Sequence, residues 1–241
     1  MNTTEADPAV FEAQSTTVCD FYTQAPQLAQ AGTHLVSTDE MSGIQALERT
    51  AATKGVRPGQ LEKREFEYIR HGTLTLIANL EVASGRIIRA SVLPRRTEAD
   101  FLAHIEQTIE SEPAGEWIFI LDQLNTHQSA SLVEMVIRRL GLNEPQPGIK
   151  GQTGILANMK SRQSFLSDPT HRIRFVYTPK HSSWLNQVEI WFSILMRRLL
   201  KRASFTTKAD LEQRLLSFID YFNRVAAKPF KWTYTGRPLQ A

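Results

Sequence analysis

Apolar residues along this 241-residue chain fall into continuous runs of strand length and runs that repeat at three- and four-residue spacing. TLTLIANLEV (73–82) and GRIIRASVLP (85–94), parted by Ala83 and Ser84, predict a hairpin, with a further edge strand over 66–70. Leu35 and Val36 start an earlier strand that closes at Asp39. Beyond it MSGIQALERT and the segment 54–63, with Gly55, Pro58 and Gly59, read as a loop excursion. WIFILDQLN carries a wholly apolar strand ending at Asp122, and IRFVYTP (173–179) is another; such strands indicate burial on both faces.

Helical spacing appears in Phe101, Leu102, Ile105 and Ile109 behind a Thr97–Asp100 capping pair, and in Leu132, Val133, Val136, Ile137 and Leu140 over 129–140. A weak helix is expected over 155–165, a long one over 184–201, and another over 208–223 bearing Leu211, Leu215, Phe218 and Phe222. Residues 1–30 contain no apolar run longer than three and are expected to form a tether with one short helix. Residues 31–241 make the domain, with the Gly-, Pro-, Ser- and Lys-rich stretch 141–172 as an insertion. Three strands, then helix, strand, helix, strand, helix, make an α/β sandwich: a mixed five-stranded sheet with helices on both faces.

Composition narrows the class. With 41% hydrophobic and 22% charged residues, the chain suits one compact soluble domain. The single cysteine, Cys19, excludes an intramolecular disulfide framework and a cysteine-rich zinc site. No apolar run approaches the roughly 20 residues that span a bilayer, and MNTTEADPAV is too polar for a signal peptide, so a reducing, cytoplasmic setting is expected. Net charge is only +3, but basic residues gather at Arg95 and Arg96, Arg138 and Arg139, Lys160 and Arg162, and in MRRLLKR (196–202). A solvated helix face explains any one cluster; several beside an acidic centre suit a polyanion held over metal ions.

That acidic centre is Asp39, Asp122 and Glu189. Two of these close buried strands, where an unpaired carboxylate is costly. At about 100° per residue, Leu185, Val188, Phe192, Leu195 and Leu199 form one stripe, and Glu189 sits roughly 90° from its centre, at the rim of the core. Singly, Asp39 reads as a helix N-cap, Asp122 as an Asx-turn residue and Glu189 as a surface glutamate. Together they fit the carboxyl ends of strands in an open α/β sheet, where ligands bind. Hard oxygen donors, with no cysteine cluster and scattered histidines, favour Mg2+ or Mn2+. Around them, His127 is placed to hydrogen-bond at the site, and Asn186, one turn before Glu189, to hold its carboxylate. Lys180 and His181 precede helix amides that suit a phosphate, unless Ser182 or Ser183 caps that helix. Glu40 points to the opposite face from Asp39 if the strand persists. In the tail, Lys228 and Lys231 alternate with Phe230, Trp232 and Tyr234, either as a stacking surface for nucleic acid or as aromatics docked on the core.

STDEMSGIQALER around Asp39, FILDQLNTHQS around Asp122, YTPKHSSWLNQVEIWFSILMRRLLKR around Glu189 and the tail KPFKWTYTG, in that order over 33–236, resemble one family. It is the catalytic domain of DDE transposases of the mariner superfamily, in their bacterial insertion-sequence branch, family six-thirty. The resemblance implies a ribonuclease H-like fold. Asp39 and Asp122 would lie on neighbouring central strands, and Glu189 would complete a cage for two divalent ions, Mg2+ or Mn2+. It further implies cleavage and strand transfer of double-stranded DNA, both transposon ends and target, without a covalent protein intermediate. Asn125, His127 and Asn186 would support the carboxylates, and Lys180, His181, Arg197, Arg198, Lys201, Arg202, Lys228 and Lys231 would contact DNA. A homodimer or larger assembly in the bacterial cytoplasm, at the nucleoid, is expected. Gln123 stands where the family commonly has asparagine, and the long spacing from Asp122 to Glu189 marks 141–172 as an insertion. Complete members carry N-terminal helix-turn-helix modules; this chain begins about thirty residues before the catalytic region, so either a truncated or interrupted element or a separately encoded front part is expected. Two other readings stay open: another ribonuclease H-like nuclease, and a non-catalytic remnant that binds DNA or a partner subunit.

Overall fold

Side-chain alternation in the strands builds the core. The computed structural model describes residues 8–52, 54–62, 65–142 and 147–236; 1–7 of the expected tether, 53, 63 and 64 of the excursion, 143–146 of the insertion and the end 237–241 lie outside the described residues. Five strands, β1 (Thr33–Arg49), β2 (Tyr68–Glu81), β3 (Arg86–Leu93), β4 (Glu116–Leu121) and β5 (Ile173–Tyr177), form one sheet in the order β3-β2-β1-β4-β5. β1, β2 and β3 pair antiparallel, whereas β4 runs parallel to both β1 and β5. The predicted hairpin is present, and its turn holds Gly85 at φ 68°, where an added Cβ would lie 1.9 Å from the Lys228 carbonyl oxygen.

On β4, Trp117, Phe119 and Leu121 face one layer while Ile118 and Ile120 face the other, which is why the strand reads as continuously apolar. The first layer holds α2 (Glu98–Ile109), α3 (Ala130–Leu140) and α4 (Met159–Leu166). Thr97 and Asp100 form the expected capping box for α2, and Ser129 caps α3. The other layer holds α5 (Val188–Leu195) and α6 (Lys208–Val225), packed on Leu74, Leu76, Ala78 and Leu80 of β2. The result is the expected α/β fold, a mixed five-stranded sheet with helices on both faces.

Three expectations are corrected. Residues 8–30 are no tether but a 23-residue helix, α1 (Pro8–Gln30), whose Val18, Tyr22 and Ala25 pack on Leu35, Ile118 and Ile120. Apart from the adjacent Val18 and Cys19, its buried residues are spaced three and four apart, so no continuous apolar run betrays them. β1 does not close at Asp39 but runs on to Arg49, pairing with β2 as far as Tyr68. Ile44 and Ala46 keep the strand alternation there, interrupted by an irregularity around Gly43, which takes φ 70°. Finally, the single helix expected over 184–201 is three pieces: a 3-10 turn (Ser183–Leu185), α5, and a π turn (Met196–Leu200). The tail docks: Trp232 Nε1 donates to Cys19 Sγ at 3.3 Å and its ring meets Tyr22 edge-on, while Tyr234 meets Trp184.

Candidate active site

Parallel pairing of β1 with β4 reaches Ser37 opposite Ile120, and each strand delivers an aspartate two residues later, Asp39 and Asp122. Equal spacing beyond a common register brings both carboxyls to the same end of the sheet. Asp39 is 6% exposed. One of its oxygens accepts from Glu40 N at 2.8 Å and the other from Asn186 Nδ2 at 3.3 Å. Burial and the charge of Asp122, with smaller contributions from Glu189 and Glu40, outweigh the Glu40 amide and push the Asp39 carboxyl up to about 7. Glu189, in the first turn of α5 and half-buried, is also raised, by burial and by Asp122.

Asp122 behaves oppositely. Its Oδ1 accepts from His127 Nδ1 at 2.7 Å and from Leu124 N at 3.0 Å. Burial works to raise its pKa, yet the hydrogen bond and charge of His127 hold it below the usual carboxylate range. The His127 side chain is 0% exposed, and its Nε2 lies 3.1 Å from Glu40 Oε1. Burial opposes its charge, but the two flanking carboxylates overcome that and raise it to about 9, so an imidazolium donates to both. The 3-10 turn Asn125–Gln128 that carries it is pinned: Tyr177 Oη donates to the His127 carbonyl at 2.8 Å and Arg162 Nε to the Gln128 carbonyl at 2.7 Å. Arg162, on α4, thus buttresses the turn.

The start of α5 is tied down without a capping serine. Gln187 N donates to Tyr22 Oη at 3.1 Å, Val188 N to Ser37 Oγ at 2.8 Å, Glu189 N to the Asn186 carbonyl and Ile190 N to the Gln187 carbonyl. These amides are therefore committed, which overturns both the phosphate-binding helix end and the Ser182 or Ser183 cap; Gln187 stands at the cap position with no side-chain bond. Asn186 differs from expectation too: it accepts from Ser37 Oγ and donates to the Thr38 carbonyl and to Asp39, so it holds Asp39 and not Glu189.

Beside Asp122 opens a cleft of about 350 Å³ lined by Gln123, Leu124, Pro179, Lys180, His181, Ser182 and Ser183. Gln123 reaches across to the Thr178 carbonyl at 2.9 Å, joining the ends of β4 and β5. His181 takes φ 57°, a left-handed conformation uncommon outside glycine. Arg197 and Arg198 lie exposed in the π turn with Lys201 and Arg202 after it, and Lys228 and Lys231 are exposed on the tail. Asn125 is exposed at the head of its turn, and no hydrogen bond ties it to the carboxylates. Tyr22, Ser37 and Glu40 support the site, though no motif spacing in the sequence singles them out. The signal available for Glu40 was its place next to Asp39 on a strand buried on both faces, where an acid needs a partner.

Among the described residues no three His, Cys, Asp or Glu side chains close into a ready-made metal group. Asp39, Asp122 and Glu189 are in electrostatic contact and not yet a cage. The donor set nonetheless fits a hard divalent cation: three carboxylates, two of them raised by burial and by their neighbours' charge, a cost that bound positive charge relieves.

A family model described as DDE superfamily endonuclease matches residues 34–212. Comparison with curated proteins gives no match. Among solved structures, the chain is similar to the Mos1 transposase paired-end complex with left transposon end (13% identity, TM-score 0.54), aligning 90% of this chain with 56% of that one. It is also similar to the catalytic domain of Mos1 mariner transposase (10% identity, TM-score 0.52, 91% of this chain and 85% of that one). The same catalytic domain with Raltegravir and Mn aligns at 9% identity and TM-score 0.52, over 90% and 85%. The chain thus spans about half the length of the Mos1 transposase in the paired-end complex and most of the catalytic domain.

Proposed function

The chain belongs to the DDE superfamily endonuclease family, and from that premise we propose that it is a transposase catalytic domain that cleaves and joins DNA strands with divalent cations. The observation that carries the reading is the gathering of Asp39, within β1, Asp122, just past the end of β4, and Glu189, in the first turn of α5, with both aspartates two residues beyond the paired Ser37 and Ile120 and the three charges acting on one another. Mos1 structures with transposon-end DNA and with Mn support it by likeness of fold. The three long motifs around these acids favour the bacterial insertion-sequence branch, with action in the cytoplasm as a dimer or larger assembly on two DNA ends.

Asp39, Asp122 and Glu189 would hold two Mg2+ or Mn2+ ions, which supply Lewis-acid activation of an attacking hydroxyl and stabilise the departing oxygen. The chain's own part is placement. Asn186 and the Glu40 amide fix Asp39, and His127 occupies Asp122 Oδ1, so that Oδ2 is left for the site. Glu189 approaches from the rim on a helix anchored through Ser37 and Tyr22. The cleft beside Asp122, with Lys180 and His181 on its wall, takes the phosphodiester, and Arg197, Arg198, Lys201 and Arg202 track the flanking backbone.

Strand-transfer assays with pre-cut ends test this. The wild-type chain should nick and join DNA in Mg2+ or Mn2+, and Glu189→Gln should lose at least about a hundredfold in both steps while DNA affinity stays within about twofold. Undiminished activity in that variant removes Glu189 from the site. Cutting of RNA–DNA hybrids alone makes the chain another ribonuclease H-like nuclease, and inactivity of the wild type in both metals makes it a DNA-binding remnant.

A further inference from the structure

Glu40 is the acid near the site that faces away from it. Its side chain is 2% exposed, an expensive position for a carboxylate without compensation. Compensation comes from His127 Nε2 at 3.1 Å and, at the edge, from Arg96 at 3.6 Å, which is itself 45% exposed. His127 spends its other nitrogen on Asp122 Oδ1. Adjacent residues of β1 therefore serve the site from opposite faces: Asp39 enters directly, while Glu40 goes behind the sheet and reaches Asp122, just past β4, through one imidazole.

We propose that Glu40 is a positioning residue for Asp122, acting through His127, so that the Glu40–His127–Asp122 chain decides which Asp122 oxygen is committed to the protein and which faces the cation and DNA. The surroundings suit a fixed strut. Phe101 lies against the imidazole, ring centroids 4.3 Å apart, and Tyr177 and Arg162 hold the main chain of the turn. With one ring nitrogen beside each carboxylate, the ring has one orientation that serves both. Freed from Glu40, His127 keeps Asp122 as its only charged partner among the described residues and loses that orientation. A carboxylate whose hydrogen-bonding partner is misplaced binds cations about 10- to 100-fold more weakly.

The role of Asp122 rests on the proposed function, so the test separates the two. Mn2+ binding to the full chain is measured by electron paramagnetic resonance for wild type, Glu40→Gln, His127→Gln and the double variant, each at a temperature where circular dichroism reports it folded; DNA cleavage is measured in parallel. Glu40→Gln keeps the shape of the side chain and removes its charge. It should weaken Mn2+ binding about tenfold or more, His127→Gln should do the same, and the double variant should be no weaker than His127→Gln alone. Wild-type Mn2+ affinity in Glu40→Gln, or losses that multiply in the double variant, overturns the positioning role. A wild-type chain that binds Mn2+ and cuts no DNA overturns the functional reading and leaves the strut standing.

Discussion

A buried carboxyl that must shed its proton to meet a cation makes metal binding depend on pH. Asp39, raised to about 7 by burial and by Asp122, is such a group. Because its folded value lies above its unfolded one, the folded chain keeps a proton that the unfolded chain releases. Stability without cation therefore falls as pH rises from about 4 through about 7, and stays lower above that. A cation reverses the cost by replacing the proton. Mn2+ affinity should thus climb with pH, by up to roughly tenfold per unit below about 7, then level off. Calorimetric titration with Mn2+ at several pH values reads this directly, and Asp39→Asn should abolish the slope with the binding. The three acids themselves were legible in the sequence, because each stands where an apolar stripe or run meets a polar boundary. Their supports were not. His127 and Glu40 lie 87 positions apart and meet only because β4 and the turn after it fold back beside β1. Helical spacing points Asn186 at Glu189, and it fails because the residues before α5 are a 3-10 turn and not helix.

Among the elements, those with local signatures were readable: the β2–β3 hairpin from its short turn, α2 from its Thr97–Asp100 box, and α3 from Ser129. α1 and the far half of β1 were hidden, since each buries isolated apolar residues whose partners come from distant segments. α1 has a particular task. The Tyr22 hydroxyl donates to the Leu185 carbonyl at 2.8 Å and accepts from Gln187 N, bridging the 3-10 turn and the start of the helix that bears Glu189. Tyr22→Phe keeps the ring against Trp232 and Leu35 but leaves a buried carbonyl and a buried amide unpaired. Losing such partners costs about 1–3 kcal/mol, which in a chain of this size lowers the melting temperature by several degrees. Thermal denaturation checks the size of the effect. An unchanged melting temperature means that the helix start is secured by Ser37 and Asn186 alone.

At the scale of the molecule, the order of elements sufficed for the fold class, but the placement of charge needed the structure. A net charge of +3 gives little overall attraction to a polyanion, so any DNA affinity must come from where the cations sit. Arg197, Arg198, Lys201 and Arg202 crowd one turn at the end of the helix that carries Glu189, all exposed, with only the Arg197 side chain folded back, onto the Ser193 carbonyl at 3.1 Å. Lys228 is placed differently. Its carbonyl packs on Gly85 in the β2–β3 turn, beyond the point where Glu81 of β2 pairs with Val36, whereas Asp39 pairs further along, with Ala78. That puts Lys228 toward the end of the sheet away from the carboxylates. Each phosphate neutralised on duplex DNA adds about 0.9 to the slope of log affinity against log salt. Replacing Arg197, Arg198, Lys201 and Arg202 with glutamine should therefore flatten that slope by about three to four and weaken binding uniformly across sequences. Lys228→Gln should leave the slope within about half a unit. Fluorescence anisotropy over a salt series measures both. Flattening by about 0.9 in Lys228→Gln would mean that DNA reaches the far end of the sheet, and no flattening by the fourfold variant would remove the π turn from the DNA path.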